Sequence, residues 1–178
     1  MTTEILAHHA VLALGGNLGT RLANLQAAVD SLADTPGLAV AAVSPVYETA
    51  ALLGPDAPPQ DNYFNAVVLI ETALPKDLLL IRSHAVEDAL GRVREVRWGA
   101  RTIDIDVIRY DDEVSDDGEL TLPHPRAHLR AFVLAPWHDV APDAELPGLG
   151  PIAALLAGLG GAAAQGANRR DDLLLQMP

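Results

Sequence analysis

The sequence predicts an α+β domain. Its core is a ferredoxin-like βαββαβ unit, an antiparallel sheet with both helices packed on one face, followed by an extra C-terminal hairpin and helices. Three observations predict it. Strand-like and helix-like hydrophobic periods alternate in the order β-α-β-β-α-β. Gly and Pro punctuate several of those changes of period. Hydrophobic residues make up 49% of 178, enough for one sizeable core and too many for a disordered chain. Residues 1–160 therefore read as a single domain, and residues 161–178 as a loosely ordered tail.

The first strand is the apolar run 10–14, which stops at the turn Gly15-Gly16. Leu22, Leu25, Val29 and Leu32 then recur at helical spacing, with Asn17 or Thr20 as N-cap and Pro36-Gly37 as the stop. Residues 38–47 and 64–72 are the second and third strands, and the Gly, Pro and Asp-rich stretch 53–62 between them is too long for a tight hairpin. Pro75 opens the second helix, whose Leu78, Ile81, Ala85 and Leu90 would face the core, with Gly91 as the C′ residue. Residues 102–110 form the fourth strand. An acidic loop at 111–119, a Pro-His-Pro segment, a helix near 127–138 and a short Ala/Leu-rich helix near 152–159 complete the chain.

Composition narrows the function. The net charge of −12 repels nucleic acid and anionic membranes, so a nucleotide would have to be held by a local positive patch. Such a patch exists: Arg92, Arg94, Arg97, Arg101 and Arg109 cluster together, while Lys76 is the sole lysine. The absence of cysteine excludes disulfides, thiolate metal sites and cysteine nucleophiles. No signal peptide and no run approaching the ~18 apolar residues of a membrane span is present, which predicts a cytoplasmic protein.

The segment 97–107 is the most informative stretch. Its second half alternates polar and apolar residues, so Asp104 and Asp106 project from one strand face ~7 Å apart. Two adjacent carboxylates repel unless a cation shares them, and hard oxygen ligands with room for water and phosphate suit Mg²⁺. The arginines beside them offer planar forks matched to phosphate oxygens. A metal-binding acid pair next to an arginine cluster is the chemistry of phosphoryl transfer. A solvated strand face is the blander reading, and the arginines with Trp98 outweigh it.

Two common nucleotide motifs are excluded. The turn 15–20 lacks the Gly-Lys-Ser/Thr ending of a P-loop, and a split βαβ order does not build a doubly wound sheet. Histidines show no metal-ligand spacing near the acid pair, and His8, His9, His84 and His138 read as surface or helix residues. Tyr63-Phe64-Asn65 pairs a stacking surface with an amide donor and acceptor, which a flat heteroaromatic ligand would want, although core packing explains it equally well.

Several motifs then occur in order: residues 15–19 (GGNLG), 47–49 (YET), 63–65 (YFN), Glu87 with 91–94 (GRVR), 97–106 (RWGARTIDID) and 122–126 (LPHPR). Together they resemble the 6-hydroxymethyl-7,8-dihydropterin pyrophosphokinase family over residues 10–147. The arginine-tryptophan-Asp-x-Asp block is highly specific, and the glycine turn is not. The resemblance implies transfer of pyrophosphate from ATP to the pterin hydroxymethyl group, with AMP released, in folate biosynthesis.

It also implies roles. Asp104 and Asp106 resemble ligands to two Mg²⁺ ions, and Arg92 and Arg101 the catalytic arginines. Glu87, Arg94, Arg97, Arg101, Thr121, His124 and Arg130 fall where the family holds ATP. Thr49, Tyr63, Asn65, Trp98 and Phe132 fall where it holds the pterin. Loops 50–62 and 92–100 are the natural lids, ATP is expected to bind first, and no side chain stands out as a general base. The chain departs from the family at Gly16, where a serine is usual, at Ala50, where a proline is usual, and at Glu119, where a basic residue is common. The expected partners are the two small-molecule substrates, with neither nucleic acid nor membrane, and a monomer is expected. A ligand-sensing module without chemistry would explain the fold but not the acid pair, and a Mg²⁺-dependent phosphodiesterase would carry a broader basic surface.

Overall fold

The computed structural model describes residues 7–92 and 99–178. Its main elements are β1 (His8–Gly16), α1 (Arg21–Ala33), β2 (Leu38–Val43), β3 (Tyr47–Thr49), β4 (Tyr63–Thr72), α2 (Lys76–Ala89) and β5 (Asp104–Tyr110). They are followed by β6 (Ser115–Asp116), β7 (Thr121–Leu122), α3 (Ala131–Val140), β8 (Glu145–Leu146), β9 (Gly150–Pro151), α4 (Ile152–Gly158) and β10 (Asn168–Arg169). The central sheet runs β10-β3-β4-β1-β5, with β2 also paired to β4, and its pairings are antiparallel. Taken as β2-β4-β1-β5, it is the ferredoxin-like order the sequence predicts, and β6-β7 and β8-β9 are short added hairpins.

Both faces of the sheet are covered. On one, Leu12, Leu14, Val68, Ile70, Ile105 and Val107 meet Leu25, Val29 and Leu32 of α1 and Leu79 and Val86 of α2. On the other, Val11, Val67 and Ile108 meet Val133, Leu134 and Trp137 of α3. Strands buried on both sides lose the polar half of their alternation, which explains the near-continuous apolar runs of β1 and β4.

The structure departs from the sequence reading in three places. The single strand expected over residues 38–47 divides in two at Pro45, which has no N–H for the ladder. Ser44 compensates: its N–H donates to the Val67 carbonyl (2.9 Å) and its Oγ accepts the Val67 N–H (2.8 Å).

The second helix is turned relative to its apolar stripe. Ile81 is 59% exposed and Ala85 is also exposed, while Leu79, Ser83, Val86 and Glu87 are buried. The inward face carries a carboxylate, and counting apolar residues cannot find such a face.

The expected loose tail is instead laid on the domain. β10 pairs with β3, the Arg170 N–H donates to the Val46 carbonyl (2.9 Å), and Leu173 and Leu175 pack against the core under α1 and α2. Apolar side chains at 173 and 175 together with a free edge on β3 account for the docking. Among the described residues no helix is long and apolar enough to cross a membrane.

Candidate active site

β1, β4 and β5 bring their ends together at Gly15, which pairs with Asn65 on one side and Asp104 on the other. Side chains alternate along each strand, so Ala13, Gly15, Tyr63, Asn65, Asp104 and Asp106 share the α3 face. Opposite the two carboxylates stand Gly15 and Ala13, and this row of minimal side chains opens a cleft of about 410 Å³. A Cβ on Gly15 would lie 3.1 Å from Asn65 Oδ1 and 3.9 Å from the Tyr63 ring. Glycine here keeps the floor open.

The acid wall is built from β5 and α2. Gly91, at φ +81°, reverses the chain after α2 so that Arg92 folds back over the helix end. Its guanidinium bridges Glu87 and Asp104, the latter at 2.7 Å, and Arg101 pairs with the other oxygen of Asp104. Glu87, wholly buried, also accepts the Ile105 N–H at 2.6 Å, which fixes β5 to the helix. Burial pushes the Glu87 carboxyl up, while this N–H and Arg92 pull it back. Burial alone would lower the Arg101 guanidinium, but Asp104 outweighs it and holds it above its ordinary range.

Asp106 is less well compensated. Arg130 pairs with it only loosely, at 3.8 Å, and burial followed by the charge of Asp104 pushes its carboxyl up to about 6. A further cation shared by the two carboxylates would relieve that repulsion, so the donor set fits a hard divalent ion with substrate oxygens completing the shell. Among the described residues no group of three or more His, Cys, Asp or Glu gathers to hold a metal without such help.

The opposite wall suits a flat ligand. Tyr63, Asn65, Thr49 and Phe132 line the cleft. Asn65 is buried, and its amide nitrogen donates to the Tyr47 carbonyl (3.1 Å) and to Thr49 Oγ1 (2.9 Å). Both amide donors are thus engaged by the protein, and Oδ1 is the atom presented toward Gly15. This narrows the sequence reading, in which the amide offers donor and acceptor alike.

His124 lines the cleft near Arg126 and Arg130. Its Nδ1 accepts the Arg126 backbone N–H (3.1 Å), so the proton of the neutral ring sits on Nε2. Burial, then the two arginines, lower its pKa to about 4. Arg130 lies over the Phe132 ring, 5.6 Å from its centroid.

Of the site residues expected from sequence, Thr49, Tyr63, Asn65, Glu87, Arg92, Arg101, Asp104, Asp106, His124, Arg130 and Phe132 line this one cleft. Thr121 does not: its hydroxyl is bonded to Asp116 at 3.0 Å in the β6-β7 hairpin. Arg94, Arg97 and Trp98 lie outside the described residues. His84, expected to be a plain helix residue, lines the cleft, as do Leu52 and Arg126.

Sequence reading also treats Asn17 as a turn or cap residue. It is 1% exposed, and Thr20 takes the N-cap position without a side-chain bond. Asn17 Oδ1 accepts the Arg101 N–H (2.8 Å), while Nδ2 donates to Gln60 Oε1 (3.1 Å) and the Asp61 carbonyl (3.0 Å). Its neighbour Gly16 abuts the same segment: a Cβ there would stand 2.3 Å from the Thr102 carbonyl oxygen. The only hint in the sequence is an amide placed directly after two glycines.

Comparison with known proteins points to one family. Residues 11–142 match the family described as 7,8-dihydro-6-hydroxymethylpterin-pyrophosphokinase (HPPK). A protein of Mycobacterium leprae (strain TN) named 2-amino-4-hydroxy-6-hydroxymethyldihydropteridine pyrophosphokinase is 48% identical, covering 76% of this chain and 73% of its own length. One of the same name from Methylorubrum extorquens is 46% identical, covering 78% of this chain and 86% of its own. Among solved structures, wild-type HPPK-DHPS of Plasmodium falciparum with SDX-DHP superposes with a TM-score of 0.63 at 15% identity, over 89% of this chain. This chain spans 46% of that one, and the likeness at such identity speaks for the fold.

Proposed function

The chain belongs to the 7,8-dihydro-6-hydroxymethylpterin-pyrophosphokinase family, and from that premise we propose that it transfers pyrophosphate from ATP to the hydroxymethyl group of 6-hydroxymethyl-7,8-dihydropterin, releasing AMP, in folate biosynthesis. The observation that carries the reading is the opposition of two walls in one cleft. Asp104 and Asp106 of β5, with Arg92 and Arg101, stand on one side of Gly15 and Tyr63 and Asn65 of β4 on the other, with Phe132 of α3 lining the same cleft.

The pterin lies against the second wall. Its ring stacks on Phe132 and Tyr63, and a ring N–H donates to Asn65 Oδ1. The ATP phosphates lie toward the arginines, with Glu87, His124 and Arg130 on the nucleotide side. Neutral His124 serves as an Nε2–H donor, so it adds no charge to a region already rich in arginine.

Asp104 and Asp106 would hold two Mg²⁺ ions, which supply charge neutralisation and alignment of the phosphates when bound. In the reaction the hydroxymethyl oxygen forms a bond to the β-phosphorus. The bond from that phosphorus to the α-bridging oxygen breaks, its electron pair leaves with AMP, and the hydroxyl proton passes to solvent. Arg92 and Arg101, held against Asp104 beforehand, turn to the charge that spreads over the transferred oxygens. Loop 50–62 closes over the substrates and excludes water that would otherwise hydrolyse ATP, while the second lid expected from sequence, 92–100, lies mostly outside the described residues.

The test is AMP release from MgATP in the presence and absence of the pterin alcohol. The proposal requires AMP formation that depends on the alcohol. Alcohol-independent hydrolysis would favour a phosphodiesterase, and binding without turnover would favour a sensing module.

A further inference from the structure

Residues 168–176 lie beyond the stretch that matches the family, yet they reach the base of loop 50–62. Arg170 is anchored through its backbone to Val46 and through its guanidinium to Asp172 (2.7 and 2.8 Å). The same guanidinium donates to Glu48 Oε2 at 2.5 Å. The other oxygen of Glu48 accepts from Arg21 (3.3 Å) and from the Asn62 side-chain amide (3.4 Å), and Arg21 also donates to the Asn62 carbonyl (2.7 Å). Both cations lie over the Phe64 ring, Arg21 3.8 Å and Arg170 5.6 Å from its centroid.

Glu48 directly precedes Thr49, and Asn62 directly precedes Tyr63. One carboxylate therefore ties together the two ends of the loop at the points where it enters and leaves the flat-ligand wall. Arg170 gives that carboxylate a charged, pre-anchored partner from a distant part of the chain. Farther along, Gln176 and Gln26 of α1 exchange hydrogen bonds (2.8 and 3.1 Å), so the segment is also fastened to the helix that carries Arg21.

We propose that Arg170, acting through Glu48, is a positioning residue for the pterin side of the cleft, and that segment 168–176 is the strap that sets the base of loop 50–62. The inference rests on the pyrophosphokinase reading for its substrate. Neither Arg170 nor Glu48 lines the cleft, so their effect is on where Thr49, Tyr63 and Asn65 stand rather than on contact with substrate.

The experiment compares Arg170→Ala, Arg170→Lys, Glu48→Gln and the double variant Arg170→Ala/Glu48→Gln in the full chain. Arg170→Ala is expected to raise KM for the pterin alcohol about fivefold and leave KM for ATP within about twofold, the mark of a loosened geometry on one substrate only. Arg170→Lys restores part of the loss, because an ammonium still pairs with Glu48. The double variant is no worse than the worse single one, since both remove the same link. Amide hydrogen exchange, which needs no activity, should quicken at residues 48–50 and 61–63 in Arg170→Ala. Equal effects on both substrates, additive losses, or unchanged exchange at those residues would overturn the proposal. Should the wild type form no AMP with the pterin alcohol, the functional reading falls, and the exchange measurement alone decides whether the strap holds the loop.

Discussion

Asn17 and Arg101 hold each other by both main chain and side chain. The Asn17 N–H donates to the Arg101 carbonyl (2.9 Å), and the Arg101 N–H donates to Asn17 Oδ1 (2.8 Å). With its remaining amide hydrogens on Gln60 and Asp61, Asn17 joins the ends of two separate loops at the cleft. One buried side chain thus sets the backbone from which Arg101 reaches Asp104.

Replacing Asn17 with Ala leaves the Arg101 N–H and the Asp61 carbonyl without this partner. The expected cost is about 1–3 kcal/mol of stability, read by chemical denaturation. The turnover rate should fall by more than ATP affinity does, because the displaced group is an arginine assigned to the transition state. A stable Asn17→Ala protein with full turnover would show that the junction is not needed.

The two aspartates should behave differently from each other. Asp104 is the partner of Arg92 and Arg101, whereas Asp106 sits beside it with Arg130 at 3.8 Å. In metal-free protein Asp106→Asn is expected to raise the melting temperature by relieving repulsion, and Asp104→Asn to lower it by removing the carboxylate that pairs with Arg101 and one of the two that Arg92 bridges. Both should abolish most pyrophosphoryl transfer. Thermal melts in the presence of a chelator, beside rate assays at ordinary Mg²⁺, check the pair, and equal melting shifts would contradict the assignment.

His124 is expected to stay neutral through the physiological range. Its pKa in the folded state, about 4, lies below its ordinary 6.5. Folding therefore excludes a proton that the unfolded chain takes up, and this contribution to stability is full above about pH 6.5 and is lost as pH falls toward 4. Proton NMR of the ring should show no titration between pH 8 and about pH 5. A midpoint near 6.5 would mean that the ring is solvated and not packed against Arg126 and Arg130.

Asn65 tests the flat-ligand wall. With its amide nitrogen committed to Tyr47 and Thr49, Asn65→Asp removes two internal donors as well as altering the acceptor. Pterin affinity should fall at least about tenfold, roughly 1.4 kcal/mol, while affinity for an ATP analogue stays within about twofold. Calorimetric titration with each ligand reads both, and matched losses would assign Asn65 to the fold alone.

Period-2 and period-3.6 patterns make the element order legible in the sequence, because burial of one face imposes them. The alternation at Asp104 and Asp106 likewise puts both carboxylates on one side of β5. Features that the sequence hides depend on partners far away along the chain. Glu87 faces inward because Ile105 and Arg92 meet it there, which no local pattern announces. Asn17 looks like a turn residue until folding sets Arg101 and Asp61 beside it. Segment 168–176 looks like a tail because its strand is two residues long and its purchase comes from Val46, Glu48 and Gln26.

The central claim is that the cleft moves the β- and γ-phosphates together from ATP to the pterin alcohol. The most direct measurement follows ATP labelled at the β-phosphorus into products, with wild type and Asp106→Asn side by side. The claim predicts that label appears in a pterin diphosphate in step with unlabelled AMP, and that Asp106→Asn makes almost none. Label retained in ADP, or released as free pyrophosphate at the same rate with and without the alcohol, would contradict it.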